Sequence, residues 1–183
     1  MPVPHFMSRR TAHRLCSLLL CLGFAMPAAR AGDQAAVPIG GILPGATLHG
    51  LNGPPRALGS FRGKPLIINV WASWCGPCRQ EMASLERLAW HEQAQHFAII
   101  GISTDDDAAQ AAGMLKTINA TISQFIDRDL QMENMLGASR LPLTVLIAAD
   151  GRVLERIYGA REWDSAESLR LIEEAFRRSP AAH

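Results

Sequence analysis

The chain has little cysteine. Of its four residues, Cys16 and Cys21 lie in an apolar run near the N-terminus, and only Cys75 and Cys78 lie beyond it. Two sulfurs this close in sequence staple almost nothing, so a disulfide scaffold is excluded. No second CxxC and no histidine pair accompanies them, and a structural zinc site would need two more ligands. His91 and His96 stand five apart, which turns their rings away from each other on a helix. A basic stripe able to neutralise phosphates is also missing, which argues against a nucleic-acid partner. Internal repeats are absent, as are low-complexity tracts outside residues 32–44.

Acidic residues are missing before Asp33, whereas Arg9, Arg10, His13 and Arg14 make a basic start. The apolar run "LCSLLLCLGFAMPA" follows from Leu15, and then Ala29-Arg30-Ala31. A basic region, a short apolar region and an A-x-A site describe a secretory signal peptide cut after Ala31. The run is broken by Pro27 and falls short of the ~20 apolar residues of a spanning helix, so an uncleaved tether is the lesser alternative. Ser8-Arg9-Arg10 only faintly suggests a twin-arginine signal, because Ala12 and His13 follow it. Leu15 and Leu20 stand where a lipoprotein site would have a small residue before its cysteine. Removing 31 of 183 residues leaves 152, enough for one domain with a substantial core. Four arginines leave with the signal, so 18 − 4 = 14 basic residues face 17 acidic ones and the net charge becomes −3. Residues 32–44 are expected to form a flexible leader, 45–178 the domain and 179–183 a tail.

Within the domain, residues 45–64 are short apolar pieces broken at Gly50 and at Asn52-Gly53-Pro54-Pro55, a pattern that predicts a hairpin. "PLIINVWA" from Pro65 is a branched and aromatic run without polar alternation, which fits a strand buried on both faces. From Gly76 the period becomes helical through Met82, Leu85, Leu88 and Ala89, to about His96. Residues 97–103 read as a second buried strand. Thr104 and Asp105-Asp106-Asp107 read as the start of a helix carrying Ala109, Ala112, Met114 and Leu115, where acids suit the N-terminal dipole. A short strand at 122–125 and a short helix at 130–136 ending at Gly137 are expected next. Runs 143–148 and 153–158, joined across Ala149-Asp150-Gly151, predict an antiparallel hairpin. Asp164 and Glu167 suggest a capping box for a last helix with Leu169, Ile172 and Phe176 inward. The order βαβα then ββα predicts an α/β fold: a mixed central sheet with helices on both faces.

Cys75 and Cys78 thus stand where a buried strand passes into a helix. A sulfur at a helix N-terminus meets free amides and the positive end of the dipole, which favour its thiolate. The sulfur one turn later lies on the same face, within disulfide reach. Pro77 is tolerated because the first turn needs no amide donor. One sulfur can attack a substrate disulfide and the other can resolve the mixed intermediate. Trp71 and Trp74 are expected to shield the pair. Two alternatives stay open: an oxidase that donates disulfides, and a metallochaperone carrying Cu(I) on the CxxC.

"WASWCGPC" followed by Arg79-Gln80-Glu81 closely resembles the active site of the thioredoxin superfamily, in its periplasmic TlpA/ResA-like branch. The resemblance spans roughly residues 42–178. It implies a thioredoxin fold with an N-terminal hairpin and a mid-fold insert at about 117–139, with Cys75 attacking and Cys78 resolving. It makes Leu141-Pro142 a cis-proline site facing the disulfide, where Leu141 offers backbone to a substrate strand. Trp74, Gly76 and Pro77 complete that surface, and Gly159 falls beside the groove. Cytoplasmic thioredoxins place a buried Asp six residues before the first cysteine, and here Asn69 stands there. The branch carries an acid at the position of Glu81, which can take up the Cys78 proton if its pKa is raised. The implied activity is periplasmic thiol-disulfide exchange in the reducing direction, with no cofactor beyond the Cys75–Cys78 disulfide. The implied partners are protein disulfides, such as apocytochrome c or copper-site cysteines, and a membrane-embedded electron donor. Met132 and Met135, the three aspartates, Trp90 and Trp163 are assigned to packing or capping, and no metal site is expected.

Overall fold

The computed structural model describes residues 35–178. The expected signal peptide with Cys16 and Cys21, its cleavage site and the 179–183 tail lie outside the described residues. Seven strands and four α-helices are present among those described: β1 (Thr47–Gly50), β2 (Arg56–Ala57), β3 (Leu66–Trp71), α1 (Gly76–Ala89), β4 (Ala98–Ser103), α2 (Ala108–Thr117), β5 (Ser123–Ile126), α3 (Gln131–Leu136), β6 (Leu143–Ile147), β7 (Val153–Tyr158) and α4 (Ala166–Arg177). Short 3-10 turns cover Leu58–Phe61 and Glu92–His96. No helix among the described residues is long and apolar enough to cross a membrane.

The strands form one open mixed sheet in the order β2-β1-β5-β4-β3-β6-β7. β3 is central, parallel to β4 and antiparallel to β6, and all six of its residues are buried. That explains its unbroken apolar spelling, because helices cover both faces. Alternation sorts its side chains. Leu66, Ile68 and Val70 join a core with Phe125, Met132, Met135 and Leu136, under α3. Ile67 packs with Leu85 and Leu88 of α1 and Ile172 of α4. Trp71 packs with Met82 of α1 and with Ala111, Met114 and Leu115 of α2. Asn69, between Ile67 and Trp71, therefore points at α1. Each fully buried Ile or Leu of these clusters contributes about 1.5–3 kcal/mol by leaving water.

Several boundaries differ from expectation for local reasons. Helix α1 stops at Ala89, where Trp90 and His91 close turns on Arg87 and Leu88, and the polar run to His96 becomes the 3-10 turn. Helix α2 starts at Ala108 with Asp107 as its cap, so Thr104–Asp106 precede the helix. Ser165, not Asp164, caps α4 by accepting from the Ser168 amide, while Asp164 turns to Arg87. Asn52 holds β5 as a backbone mimic, donating to Ile122 O and accepting from the Gln124 amide. Residues 37–43, expected to be loose, are instead pinned: Gly40 and Leu43 donate to Val153 and Gly151, and Leu43 is buried. Met132 and Met135 are core side chains, as expected, but Trp90 is 79% exposed and packs into no core. The helix end at Gly137 matches expectation, its φ of +73° being one that glycine adopts freely.

Candidate active site

The chain turns from β3 into α1 at Ala72–Cys75, and the turn is held from outside. The buried Asp105 carboxylate accepts from the Ser73 amide at 2.9 Å, from Ser73 Oγ at 2.7 Å and from Ser103 Oγ at 2.6 Å. This ties the end of β4 to the residue two before Cys75. Cys75 is the N-cap of α1, and the Cys78 amide donates to its sulfur at 3.2 Å. The two cysteines are joined as a disulfide, with Cα atoms 5.3 Å apart. Pro77 occupies the first turn, where no amide donor is required.

Both cysteines are buried, against Trp71, Ala72, Met82, Ala111, Met114 and Leu115. Trp71 shields the pair as expected. Trp74 does not: it stands 72% exposed beside the disulfide, because the turn aims it outward from the sheet. Pro77 is likewise exposed and Gly76 half-buried. The Leu141–Pro142 bond is cis, and Leu141 packs against the cluster that holds the cysteines. Gly159, with φ of +90°, donates its amide to Pro142 O at 2.9 Å and so closes β7 onto the cis-proline turn. The structure therefore gathers Cys75, Cys78 and Leu141 around one apolar cluster.

Glu81 is one turn beyond Cys78 and only 1% exposed. Its Oε1 accepts from Asn69 Nδ2 at 2.6 Å, and its Oε2 accepts from the Arg161 amide and from Trp163 Nε1, each at 3.2 Å. Burial pushes its pKa up from 4.5 to about 7, against the lowering effect of the hydrogen bonds from Trp163, Asn69 and Arg161. A carboxyl poised near neutrality can take or give a proton at working pH.

Asn69 belongs to a polar row that crosses the sheet under α1. It faces Thr144 on β6 and Gly101 on β4, and Gly101 faces Gln124 on β5. A Cβ at Gly101 would fall 1.9 Å from Gln124 Oε1, so the glycine makes room for that amide. Gln124 Oε1 in turn accepts from Trp71 Nε1 at 2.9 Å. Sequence reading missed Trp163, Arg161, Thr144, Gln124 and Asp105 as members of the site. The first two contact Glu81 across 82 and 80 residues of chain, and no local pattern announces such a pairing. Among the described residues, no three His, Cys, Asp or Glu side chains are grouped to hold a metal.

Residues 30–170 match the Redoxin family. A thiol-disulfide oxidoreductase ResA of Geobacillus thermodenitrificans is 31% identical over 145 residues, covering 79% of this chain and 83% of that protein. ResA of Bacillus subtilis is 25% identical over 145 residues, covering 79% and 81%. A thiol:disulfide interchange protein DsbE from Chlorobium tepidum superposes with a TM-score of 0.70 at 26% identity, covering 76% of this chain and 99% of that one. With its seven-stranded mixed sheet and its cysteine pair capping α1, this chain belongs to the redoxin family as a TlpA/ResA-like thiol-disulfide oxidoreductase of the thioredoxin fold.

Proposed function

We propose that the protein reduces disulfides of extracytoplasmic proteins, with Cys75 attacking, Cys78 resolving and Glu81 carrying the proton between steps. One observation carries the reading: the cysteine pair at the α1 N-terminus has, one turn away, a buried carboxyl that no cation holds ionised. The Cys75 thiolate attacks one sulfur of the substrate disulfide, forming a mixed disulfide and releasing the other as a thiolate, which takes a proton from water. Cys78 then loses its proton to Glu81 and attacks the Cys75 sulfur. The Cys75–Cys78 bond forms, the mixed disulfide breaks and the second substrate sulfur leaves, to be protonated from Glu81. The protein ends oxidised and the substrate reduced by the same two electrons.

The surface for this exchange is built from Trp74, Gly76, Pro77 and Leu141, backed by the buried Pro142. An exposed indole and proline beside buried sulfurs suit an extended apolar peptide, to which Leu141 offers backbone. The reducing direction is supported by the Gly76-Pro77 dipeptide, and an extracytoplasmic location by the basic-apolar-small pattern of residues 1–31. In an oxidising compartment the dithiol has to be recharged, which calls for a membrane protein that passes electrons outward. Apocytochrome c cysteines and copper-site cysteines are the substrate classes proposed.

Two experiments test this. Cys75→Ser is expected to lower insulin-disulfide reduction to background, and appreciable turnover would sink the assignment of the attacking thiol. Cys78→Ala, expressed in the native host and acid-quenched, is expected to hold a short list of secreted proteins on Cys75, with an apocytochrome or a copper-site protein among them. A broad unrelated set, or nothing, would remove the pathway claim.

A further inference from the structure

The two oxygens of Glu81 differ in what their neighbours allow. Oε2 faces the Arg161 amide and the Trp163 indole N–H, both of which donate only. A proton on Oε2 would point at another N–H, so a neutral Glu81 carries its proton on Oε1. There the partner is the Asn69 side-chain amide, the one neighbouring group of the two oxygens that can present either a donor or an acceptor. Asn69 Nδ2 now donates both to Glu81 Oε1 and to Thr144 Oγ1, at 2.6 and 3.1 Å. Its Oδ1 is buried and has no partner among the protein groups. A threonine hydroxyl accepts or donates equally well, so Thr144 can accompany a reversal of the amide. Asn69 also lines a cavity of about 10 Å³ with Met82, Leu85, Gly101 and Gln124, close to the smallest space that holds one water.

We propose that Asn69 is a positioning residue whose amide follows the charge of Glu81. It donates through Nδ2 to the ionised carboxylate, and it turns to accept through Oδ1 when Glu81 holds a proton on Oε1. Whichever amide atom is turned away then meets the water-sized cavity. The proposal rests on the reading of Glu81 as the proton carrier. It gives a physical reason for an amide, rather than an apolar side chain, in the middle of an otherwise apolar strand. An apolar residue would leave the Oε1 proton without an acceptor and the ionised Oε1 without a donor. The amide keeps both charge states hydrogen-bonded, so a proton can arrive and leave without stranding a buried group.

The groups facing Glu81 are few. They are Asn69 from β3 and the Arg161 amide and Trp163 indole from the β7–α4 connection; along its own helix, Cys78 precedes it by one turn. The Arg161 guanidinium turns away to Glu167. In the oxidised protein Cys78 is held in the disulfide and does not titrate, which leaves a simple titration to observe.

The test is NMR of the oxidised protein, following Glu81 Cδ, the Trp163 indole nitrogen and the Asn69 side-chain amide against pH. All three are expected to move with one midpoint, and the Asn69 amide protons are expected to change their contacts with Thr144 across it. Losing the donor to the anion outweighs losing the acceptor for the acid, because charge-assisted bonds are the stronger. Asn69→Leu is therefore expected to raise the Glu81 midpoint by about one pH unit. An Asn69 amide that stays still while Glu81 titrates overturns the proposal, and this readout needs no variant to fold. An unmoved midpoint in folded Asn69→Leu overturns it as well. Failure of the underlying reading looks different: Glu81→Gln would then keep wild-type rates of disulfide exchange at every pH, whatever Asn69 does.

Discussion

Two carboxylates on neighbouring structure meet opposite fates. The β7–α4 connection reaches helix α1 twice, at Glu81 through the Arg161 amide and the Trp163 indole, and at Arg87 through Glu162 and Asp164. At the first contact a buried carboxyl has neutral donors only, and burial raises its pKa to about 7. At the second, the Asp164 carboxyl near the surface receives the Arg87 guanidinium at 2.6 Å, and that hydrogen bond lowers its pKa. Two turns of one helix are thus clipped to one loop by a contact suited to proton transfer and a contact suited to holding charge. The lesson is that hydrogen bonds alone do not fix a carboxylate's charge. What decides is whether burial is answered by a cation.

The largest expected break of this contrast is Glu81→Gln. A raised folded pKa means the folded state holds the proton over a range where the unfolded chain has lost it. Stability is therefore fully present below about pH 4.5 and falls as pH rises toward about 7. The loss amounts to about 3 kcal/mol over that window. Denaturant midpoints of the oxidised wild type should drop across it, while those of Glu81→Gln should not; parallel slopes would show that Glu81 is not shifted. Next in size is Trp163→Phe, which removes one donor from Oε2 and keeps the ring's packing. The Glu81 midpoint should rise further, by about one pH unit, and a fall would contradict the donor role. The smallest effect is expected from Arg87→Ala. The pairs it breaks are exposed, so the midpoint should change little and the change should fade with added salt. A salt-independent loss comparable to that at Glu81 would erase the distinction between the two contacts.

How much of this was legible in the sequence follows the reach of each interaction. The CxxC announced itself because strand, turn and helix N-terminus are contiguous in the chain. The central strand was readable from its apolar run, and the α3 end from Gly137. Helix starts were displaced wherever a polar residue had a distant partner. Asp105 serves Ser73 rather than α2, and Asp164 serves Arg87 rather than α4. Trp163 looked like one more packing tryptophan, and nothing near it in sequence reveals that its indole N–H meets Glu81. Trp74 and Trp90 show the converse: their apolar spelling suggested burial, yet each projects from a turn or helix end where no element covers it. Asn69 was legible as a departure from the aspartate of cytoplasmic thioredoxins, but its bond to Glu81 depends on strand register and helix placement together.

The role of Glu81 is decided by separating attack from resolution. Rapid acid quench of the reduced protein with a model disulfide, followed across about pH 5–8, counts the mixed disulfide on Cys75 as it forms and decays. Formation should be similar in wild type and Glu81→Gln. Decay should be slower in the variant by about 100-fold, the low end of general acid–base contributions, and the wild-type break near pH 7 should be lost. Equal decay rates and an unchanged pH profile would contradict that role, leaving Glu81 as a buried spectator.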